Sequence, residues 1–380
     1  MTYPYRIFIG YSREDLNAVK KIVQVLKELG HEPVWDQNIM PGEEFTNAIK
    51  NLIAHSHIFM PFLTENSHGN AWVNQEIGYA EGLNIPVLPL AMGYLPQGMI
   101  ERYQAIEIKN DLSDLPEKVR TIDFDNIVSL QLNRPRIIKI ATFSDERTTL
   151  VNDYTDIVLN FGSQAQKNNQ DFNGLVRLKG VYSSLSIPDK DANNKIWKRY
   201  VGKASRSESY IPLIRKERVN IEKLARQYGL KLIIDPTFTF SKDRGTDATI
   251  VRLEILRNFL EKMPDDKVKV VISEEARKGN IMIGGDWFFA ESINPGLKGY
   301  HQTIFNSFAL EVIGEIEKFD KRFEELYNEK GLKENDSRRY TIDFLNNRID
   351  ELKKDRGAGV THARWLSRLF GNKRLIIHTH

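Results

Sequence analysis

The chain has 380 residues, 41% hydrophobic and 28% charged, with a formal net charge of +3. Two or three domains are expected at this length, and so small a net charge argues neither for nor against a nucleic-acid partner. There is no cysteine, which excludes disulfides, thiolate zinc sites and a cysteine nucleophile. Because no apolar run of about 18 residues or signal-peptide pattern is present, we expect a cytoplasmic protein with no membrane partner.

Short apolar segments alternate with amphipathic segments over the first third of the chain. Helical spacing of apolar residues is seen between the short segments, and Gly30 is placed to end the first helix. This alternation predicts a parallel sheet flanked by helices, as in flavodoxin-like folds. The segments typical of buried strands are residues 6–12, 33–36, 57–63, 85–91 and 105–108.

Three loops are expected to meet at the carboxyl ends of these strands, where ligands bind in such sheets. They are residues 10–13, 36–44 and 64–71, and the last leads into a helix that carries Trp72 and Glu76. An i, i+4 spacing places these two side chains on one helix face. That face lies about 100° from the apolar stripe, so the pair is predicted at the rim of the core. From these residues alone, a packed indole beside a solvated carboxylate is the simpler interpretation.

Residues 1 to about 120 resemble a bacterial TIR (Toll/interleukin-1 receptor) domain. The resemblance is carried by residues 8–12, by Trp35-Asp36 before a Pro-Gly loop, and by Trp72-x-x-x-Glu76, in that order. Gly10 is a departure, because many members have serine there. We expect this departure to be tolerated, since a small residue suits close approach of the backbone to a ligand.

The resemblance implies an activity and a set of site residues. Enzymatic members cleave NAD+ at the nicotinamide–ribose bond with a helix glutamate, which matches Glu76, while the family tryptophan that stacks on the substrate matches Trp72. NAD+ is then a substrate, so no cofactor is expected, and members often self-associate to build the site across two subunits. The family's gating loop matches Ile39, Met40, Pro41 and Gly42. The further candidate substrate contacts are Tyr11, Ser12, Trp35 and Asp36 of the matching motifs, together with Arg13 of the loop after the first strand.

Two of these contacts have alternative interpretations. Asp36 is equally well explained as a ribose ligand or as a cap of its own turn. Arg13 is suited to a diphosphate, but a single exposed arginine followed by two acidic residues is more often only solvated.

The chemistry of NAD+ cleavage fits a site with one carboxylate. The pyridinium leaves as neutral nicotinamide without a general acid, and the ribose becomes an oxocarbenium-like cation that a carboxylate stabilises. A carboxylate about 4 Å from that charge contributes roughly 4 kcal/mol at an effective dielectric constant of about 20, which is about a thousandfold in rate.

The rest of the chain predicts a linker at residues 123–135 and a second α/β or α+β domain at 136–380, with C-terminal helices and a role in sensing and oligomerisation. No family resemblance is evident there. The predicted strands are 127–132, 136–143, 156–161, a pair within 175–187, 230–234 and 268–272; the predicted helices are 215–228, 250–263, 305–323 and 342–352.

A basic segment with interleaved aromatic residues lies in this second part. Bases stack on aromatic rings while phosphates meet arginine and lysine, so a nucleotide or nucleic-acid trigger is one interpretation, although a solvated basic face is the more common one. The scattered histidines predict no metal site. The candidate trigger-binding residues are Trp197, Arg199, Lys203 and Arg206.

The sequence therefore predicts an NAD+ glycohydrolase acting through Glu76. By resemblance it is an antiphage defence effector that is activated by ligand sensing and self-assembly. Two alternatives remain open: a cyclase that makes a cyclic ADP-ribose-type messenger, and a non-catalytic TIR scaffold for protein–protein signalling.

Overall fold

The computed structural model describes residues 5–36, 45–129, 139–167, 172–180, 183–187, 210–236, 246–293, 302–332 and 336–357. In these ranges, no helix is both long and apolar enough to cross a membrane. Two predicted sets lie outside the described residues, namely the gating loop Ile39, Met40, Pro41 and Gly42 and the trigger-binding residues Trp197, Arg199, Lys203 and Arg206.

The first sheet is parallel and has five strands, as the alternation predicted. Its strands are β1 (Arg6–Gly10), β2 (Glu32–Val34), β3 (Ile58–Leu63), β4 (Leu90–Ala91) and β5 (Ile106–Glu107). The accompanying helices are α1 (Leu16–Glu28), α2 (Phe45–Ala54), α3 (Ala71–Gly82), α4 (Leu115–Arg120) and α5 (Phe124–Ser129). The spatial order is β2-β1-β3-β4-β5. The chain adds β2 on one side of β1 and then β3, β4 and β5 on the other side, so the strand order reverses at β1 and β3.

The apolar pattern explains why these segments fold as they do. Every residue of β1 and β3 is buried, as expected for central strands covered on both faces. Gly30 adopts a φ of 83° just after α1, a conformation that a glycine takes without strain. The strand predicted at residues 127–132 is wrong over 127–129, which lie in α5, where Phe124 and Val128 are buried one helical turn apart; residues 130–132 lie outside the described part of the chain.

The second sheet has seven strands in the order β6-β12-β11-β10-β7-β8-β9 and confirms a second α/β region with C-terminal helices. Strands β7, β8 and β9 are mutually parallel, and the others pair antiparallel. The strands are β6 (Lys139–Ala141), β7 (Val176–Lys179), β8 (Leu230–Ile234), β9 (Val268–Ile272), β10 (Asn280–Gly284), β11 (Phe288–Ile293) and β12 (Gln302–Asn306). The helices are α6 (Ser144–Lys167), α7 (Tyr210–Tyr228), α8 (Thr246–Glu261), α9 (Ala309–Glu329) and α10 (Ser337–Gly357).

Several predicted elements of this region are wrong. Residues 156–161 are not a strand but lie inside α6, where Tyr154, Val158 and Phe161 are buried at helical spacing. The helix predicted at 305–323 is two elements, because β12 ends at Asn306, whose side-chain oxygen accepts from the Phe308 amide before α9 begins. The strand pair predicted within 175–187 is β7 followed by a 3-10 helix at Ser183–Ser186.

Arg6, the first residue of β1, joins the two sheets. Its side chain is only 1% exposed, and its guanidinium carbon lies 3.7 Å from the centroid of the Trp287 ring in the turn between β10 and β11. It donates to the carbonyls of His55 and Asp286, each at 3.2 Å. A single apolar core contains Phe8 from the first sheet and Trp287 from the second. The second sheet therefore packs against the amino-terminal end of β1.

Replacing Arg6 by alanine is expected to lower the free energy of unfolding by about 3 kcal/mol, since it removes a buried cation and leaves two carbonyls and an indole face without it. Arg226→Ala is the matched control, because that arginine is exposed and paired with Glu222 on the same helix, which is worth about 0.5 kcal/mol. Urea unfolding of the full chain measures both changes. Equal losses in the two variants would contradict the role of Arg6.

Candidate active site

A cleft of about 300 Å³ opens at the carboxyl ends of β1 and β2, the edge where parallel sheets bind ligands. Its volume is at the lower end of the range for small-molecule pockets. The structure brings six predicted site residues together here and adds four others, three from β1 and the segment after it and one from the loop before α3. The lining residues are Phe8, Ile9, Tyr11, Ser12, Arg13, Glu14, Asp36, Asn70, Trp72 and Glu76.

Trp35 is the predicted substrate contact that does not line this cleft. Its half-buried ring packs against the apolar core beneath α1, and the ammonium of Lys27 lies 6.0 Å from the ring centroid. Because successive side chains of an extended segment point to opposite faces, Asp36 reaches the cleft while Trp35 faces the helix.

Trp72 and Glu76 form a hydrogen-bonded pair on α3. The Trp72 Nε1–H donates to Glu76 Oε1 at 2.8 Å, as the i, i+4 spacing allows. Asn70 is the N-cap of helix α3, because its Oδ1 accepts from the backbone amides of Trp72 and Val73 at 2.9 and 3.4 Å. The prediction of a rim position is wrong for the carboxylate: Glu76 is only 6% exposed, whereas Trp72 is half-buried.

The second oxygen of Glu76 faces the floor of the cleft. Oε2 is buried and has no hydrogen-bond partner among the described residues. It lies over Gly10 and Phe59: a Cβ added at Gly10 would be 2.8 Å from Oε2 and 2.7 Å from Phe59 Cζ. Burial raises the pKa of Glu76 to about 8, the Trp72 hydrogen bond opposes that shift, and the nearby Asp36 carboxylate adds to it.

Tyr11 and Asp36 form a second pair across the cleft. The Tyr11 hydroxyl donates to Asp36 Oδ1 at 2.5 Å. Burial first, and then this bond to a carboxylate, raises the pKa of Tyr11 well above its usual value. Asp36 is therefore held by a side chain of the neighbouring strand, and both groups present oxygen atoms to the cleft.

A polar network that the sequence did not reveal positions the start of α3. Asp15 Oδ2 accepts from Thr64 Oγ1 at 2.6 Å, and its Oδ1 accepts from Asn66 Nδ2 at 2.7 Å. Asn70 Nδ2 donates to Ser12 Oγ at 3.3 Å. These bonds tie the loop before α3 to the loop after β1. The signal that could have found them is the run of short polar residues at 64–70, which follows a buried strand and faces Asp15.

Comparison with known proteins identifies the family of the N-terminal region that contains the first sheet. The family model described as TIR domain matches residues 7–122. These residues form a TIR domain. Similar solved structures include the TIR domain of the Toll-related receptor TRR-2 from Hydra magnipapillata, with 17% identity and a TM-score of 0.27 over 34% of this chain and 99% of that chain. The CMP N-glycosidase BcmB of Clostridium botulinum is 17% identical with a TM-score of 0.25 over 31% and 99%. No curated protein sequence matches the chain.

Gly10 of the TIR domain supports the carboxylate of Glu76 from below, so Gly10→Ala is expected to displace it. Overpacking of this kind destabilises by about 1–3 kcal/mol, and any activity that uses Glu76 should fall at least tenfold. The control is Gly82→Ala at the end of α3, where an added Cβ meets nothing within 4 Å. Unfolding midpoints and initial rates of NAD+ cleavage test this; a fully active Gly10→Ala protein would show that the close approach does not matter.

Proposed function

We propose that the TIR domain hydrolyses the nicotinamide–ribose bond of NAD+ and that Glu76 is its catalytic residue. The observation that carries the proposal is the Trp72–Glu76 pair at the carboxyl edge of the sheet, in which the indole binds Oε1 and the other oxygen is without a partner among the described residues. A scaffold that only binds proteins has no use for a buried carboxyl group in this position, because such a group destabilises the fold.

In the proposed reaction the bond between ribose C1′ and the pyridinium nitrogen breaks, and its electron pair returns to the nitrogen. Nicotinamide leaves neutral, and the positive charge passes to C1′ and the ring oxygen of the ribose. The ionised Glu76 stabilises this cation by charge or by forming an ester with C1′. A water molecule then supplies hydroxide to C1′ and releases a proton. The products are nicotinamide, ADP-ribose and one proton.

The neighbours of Glu76 have separate proposed roles. The half-buried ring of Trp72 stacks on the substrate, while Tyr11 and Asp36 accept or donate hydrogen bonds with the ribose hydroxyls. The exposed Arg13 and the buried Ser12, which both line the cleft, meet the diphosphate. The cleft of about 300 Å³ accommodates only part of an NAD+ molecule, so the adenosine portion lies beyond the described lining.

The pH dependence of the reaction follows from the buried carboxyl group. Because the pKa of Glu76 is raised to about 8, most of the free protein carries it protonated at pH 7, and the ionised form needed for catalysis increases as pH rises. We expect kcat/KM to rise through pH 8 and then level off. The cationic nicotinamide favours ionisation, so kcat should level off at lower pH. Initial rates from pH 6 to 9.5 measure both; a kcat/KM that falls over this range would contradict the assignment.

Product analysis tests the reaction and separates it from cyclisation. Concentrated protein is incubated with NAD+, and the products are separated by chromatography and identified by mass. ADP-ribose with equimolar nicotinamide is the expected result. A cyclic ADP-ribose product would support the cyclase alternative, because the adenine then attacks C1′ in place of water. Intact NAD+ at all protein concentrations, together with binding of other TIR domains, would support the scaffold alternative.

The second sheet is proposed to control the TIR domain. Its helix α6 reaches the TIR domain through Tyr154, which is buried in the same apolar core as residues of α2 and α3. The ring of Tyr154 also packs edge-on against His55, with centroids 4.9 Å apart. His55 directly follows α2, so the second region contacts the end of one of the helices that flank the site. These contacts support activation by ligand sensing through the second region.

Self-assembly is the remaining part of this proposal and rests on the TIR resemblance. We expect the specific activity to increase with protein concentration. Rates measured between nanomolar and micromolar protein, alongside the molar mass from light scattering, test it. Equal specific activity in a demonstrably monomeric sample would overturn this part while leaving the role of Glu76 intact.

A role in antiphage defence is proposed on the same resemblance, with NAD+ depletion arresting the infected cell. Expression in a phage-sensitive bacterium should reduce plaque formation, and the Glu76→Gln protein should not. Equal plaque counts for both proteins across a broad phage panel would oppose this role.

A further inference from the structure

The candidate active site contains more carboxyl groups than the proposed NAD+ reaction uses. Glu14, Asp36 and Glu76 all line the cleft, whereas a pyridinium leaves as a neutral molecule and calls for a single carboxylate. Glu14 is exposed, while Asp36 is half-buried and Glu76 is buried. Asp36 and Glu76 therefore form a pair whose joint chemistry the NAD+ reaction does not require.

These two carboxyl groups reach the cleft from different elements. Asp36 follows β2, and Glu76 lies on α3, which follows β3; strand β1 separates β2 from β3 in the sheet. Burial is the largest cause of the raised pKa of Glu76, and the charge of Asp36 adds to it, so the two groups interact. The cleft is thus lined by two interacting carboxyl groups from separate parts of the domain.

The surroundings of the two groups favour different protonation states. Asp36 accepts a hydrogen bond from the Tyr11 hydroxyl at 2.5 Å. Glu76 is only 6% exposed, and among the described residues only its Oε1 has a hydrogen-bond partner, the indole of Trp72. Burial raises the pKa of Glu76 to about 8, so at pH 7 most molecules hold a proton there, and Oε2 is the oxygen that carries it. An acid and an acceptor in one cleft are the two groups that glycosidases use on neutral leaving groups.

The protonated form of Glu76 is unreactive toward NAD+, but it suits a different leaving group. A nucleobase such as hypoxanthine is joined to ribose as a neutral group, so it leaves as an anion unless a proton is supplied. A positioned carboxylic acid supplies that proton and accelerates such a step by about a hundredfold to ten-thousandfold. With Glu76 neutral, a second carboxylate is needed to stabilise the ribose cation, and Asp36 lines the same cleft.

We propose that the cleft also hydrolyses ribonucleosides that carry a neutral base, with Glu76 as the acid and Asp36 as the carboxylate that stabilises the ribose cation. This activity shares the site of the proposed NAD+ reaction and its placement of the ribose, but it uses the opposite protonation state of Glu76. A nucleoside lacks the diphosphate and the second nucleoside of NAD+, so it makes smaller demands on a cleft of about 300 Å³.

In the proposed step the bond between C1′ and the base nitrogen breaks, and its electron pair passes to the base. The Oε2 proton of Glu76 goes to the base, which leaves neutral. The ribose cation forms beside the Asp36 carboxylate, which also accepts a proton from the water molecule that adds to C1′. That proton returns to Glu76 through solvent. The products are ribose and the free base, with no net release of protons.

Initial rates with inosine test the proposal on the full chain, with hypoxanthine release followed by chromatography from pH 6 to 9.5. We expect kcat/KM to be level below pH 8 and to fall about tenfold per pH unit above it, because an ionised Glu76 has no proton to give. The same protein with NAD+ should show the opposite trend. An inosine profile that rises with pH, as the NAD+ profile does, would overturn the acid role of Glu76.

The two substrates also separate this proposal from the proposed function. No hypoxanthine from millimolar inosine, in a protein that cleaves NAD+, would overturn this activity and leave the NAD+ reaction standing. Cleavage of inosine without cleavage of NAD+ would support this activity and overturn the other. Glu76→Gln should lose both activities, and hypoxanthine release that persists in that variant would overturn the proposal.

Asp36→Asn tests the second carboxyl group. The amide keeps an oxygen for the Tyr11 hydroxyl, which donates to Oδ1 in the parent, but it has no charge to stabilise the ribose cation. Inosine hydrolysis should fall at least tenfold more than NAD+ cleavage does, since the ionised Glu76 still supplies a charge for NAD+. Equal losses with both substrates would indicate a structural defect and overturn the role of Asp36. Glu107→Gln, which changes an exposed carboxylate on β5, is the matched control and should equal the parent with both substrates.

Discussion

Replacing Glu76 by glutamine is expected to lower the rate of NAD+ cleavage at least a thousandfold. The amide has the shape of the carboxyl group and keeps an oxygen for the Trp72 Nε1–H, which lies 2.8 Å from Oε1 in the parent. It has no charge, so the developing ribose cation loses roughly 4 kcal/mol of stabilisation. Substrate binding through the rest of the cleft is retained, and kcat should therefore fall far more than KM rises.

Rapid-quench or chromatographic assays of nicotinamide release measure this loss. Glu81→Gln is the matched control, because it makes the same change five residues later on α3, where Glu81 accepts from the Tyr103 hydroxyl at 2.6 Å. That variant should retain activity within about threefold. Glu76→Gln and Glu76→Ala proteins that both cleave NAD+ at the parent rate would end the catalytic assignment.

The same Glu76→Gln substitution is expected to stabilise the protein at alkaline pH. The folded-state pKa of about 8 lies above the usual value of about 4.5, so the folded protein resists ionisation of this group. Below about pH 4.5 the carboxyl group is neutral in both the folded and the unfolded protein, and its ionisation costs no free energy of unfolding. As pH rises toward 8, the unfolded chain ionises more readily than the folded protein, so the free energy of unfolding falls. The parent should therefore lose up to about 5 kcal/mol relative to Glu76→Gln across this window.

Urea unfolding of both proteins at pH 4.5, 7 and 9 measures this difference. The two should be nearly equal at the lowest pH, with the glutamine protein increasingly more stable above it. Glu107→Gln, which changes an exposed carboxylate on β5, should follow the parent within about 0.5 kcal/mol. If the free energy of unfolding changed with pH in the same way for the parent and for Glu76→Gln, ionisation of Glu76 would not destabilise the folded protein. A variant that is inactive yet more stable cannot owe its inactivity to misfolding.

The first sheet was predictable because its strands are buried on both faces and read as continuous apolar runs. The pairing of Trp72 with Glu76 followed from helical spacing alone. The burial of Glu76 did not, since it depends on Gly10 and Phe59, two residues of neighbouring strands that approach α3 only in the folded protein. The Asp15 network is likewise formed between segments about 49 residues apart, a distance over which local patterns carry no information.

The second region was harder to predict for the same physical reason. Residues 156–161 are rich in apolar and β-branched side chains, which favour a strand locally. Their burial at helical spacing in α6 is decided by packing on the second sheet. Strands β10 and β11 were missed although they pair with each other across a short turn; the other partner of β10 is β7, which lies far earlier in the chain.

The two ends of strand β1 make different contacts: one end meets the second sheet, and the other lies beside the candidate catalytic residue. Arg6 meets the second sheet, and Gly10 lies under Glu76, about 13 Å further along the strand. At the docking end, Arg6 meets the indole of Trp287 and both the carbonyl and the carboxylate of Asp286. A different region fused to this TIR domain should therefore leave the reaction undisturbed, as long as it presents an acidic turn with an aromatic residue to Arg6.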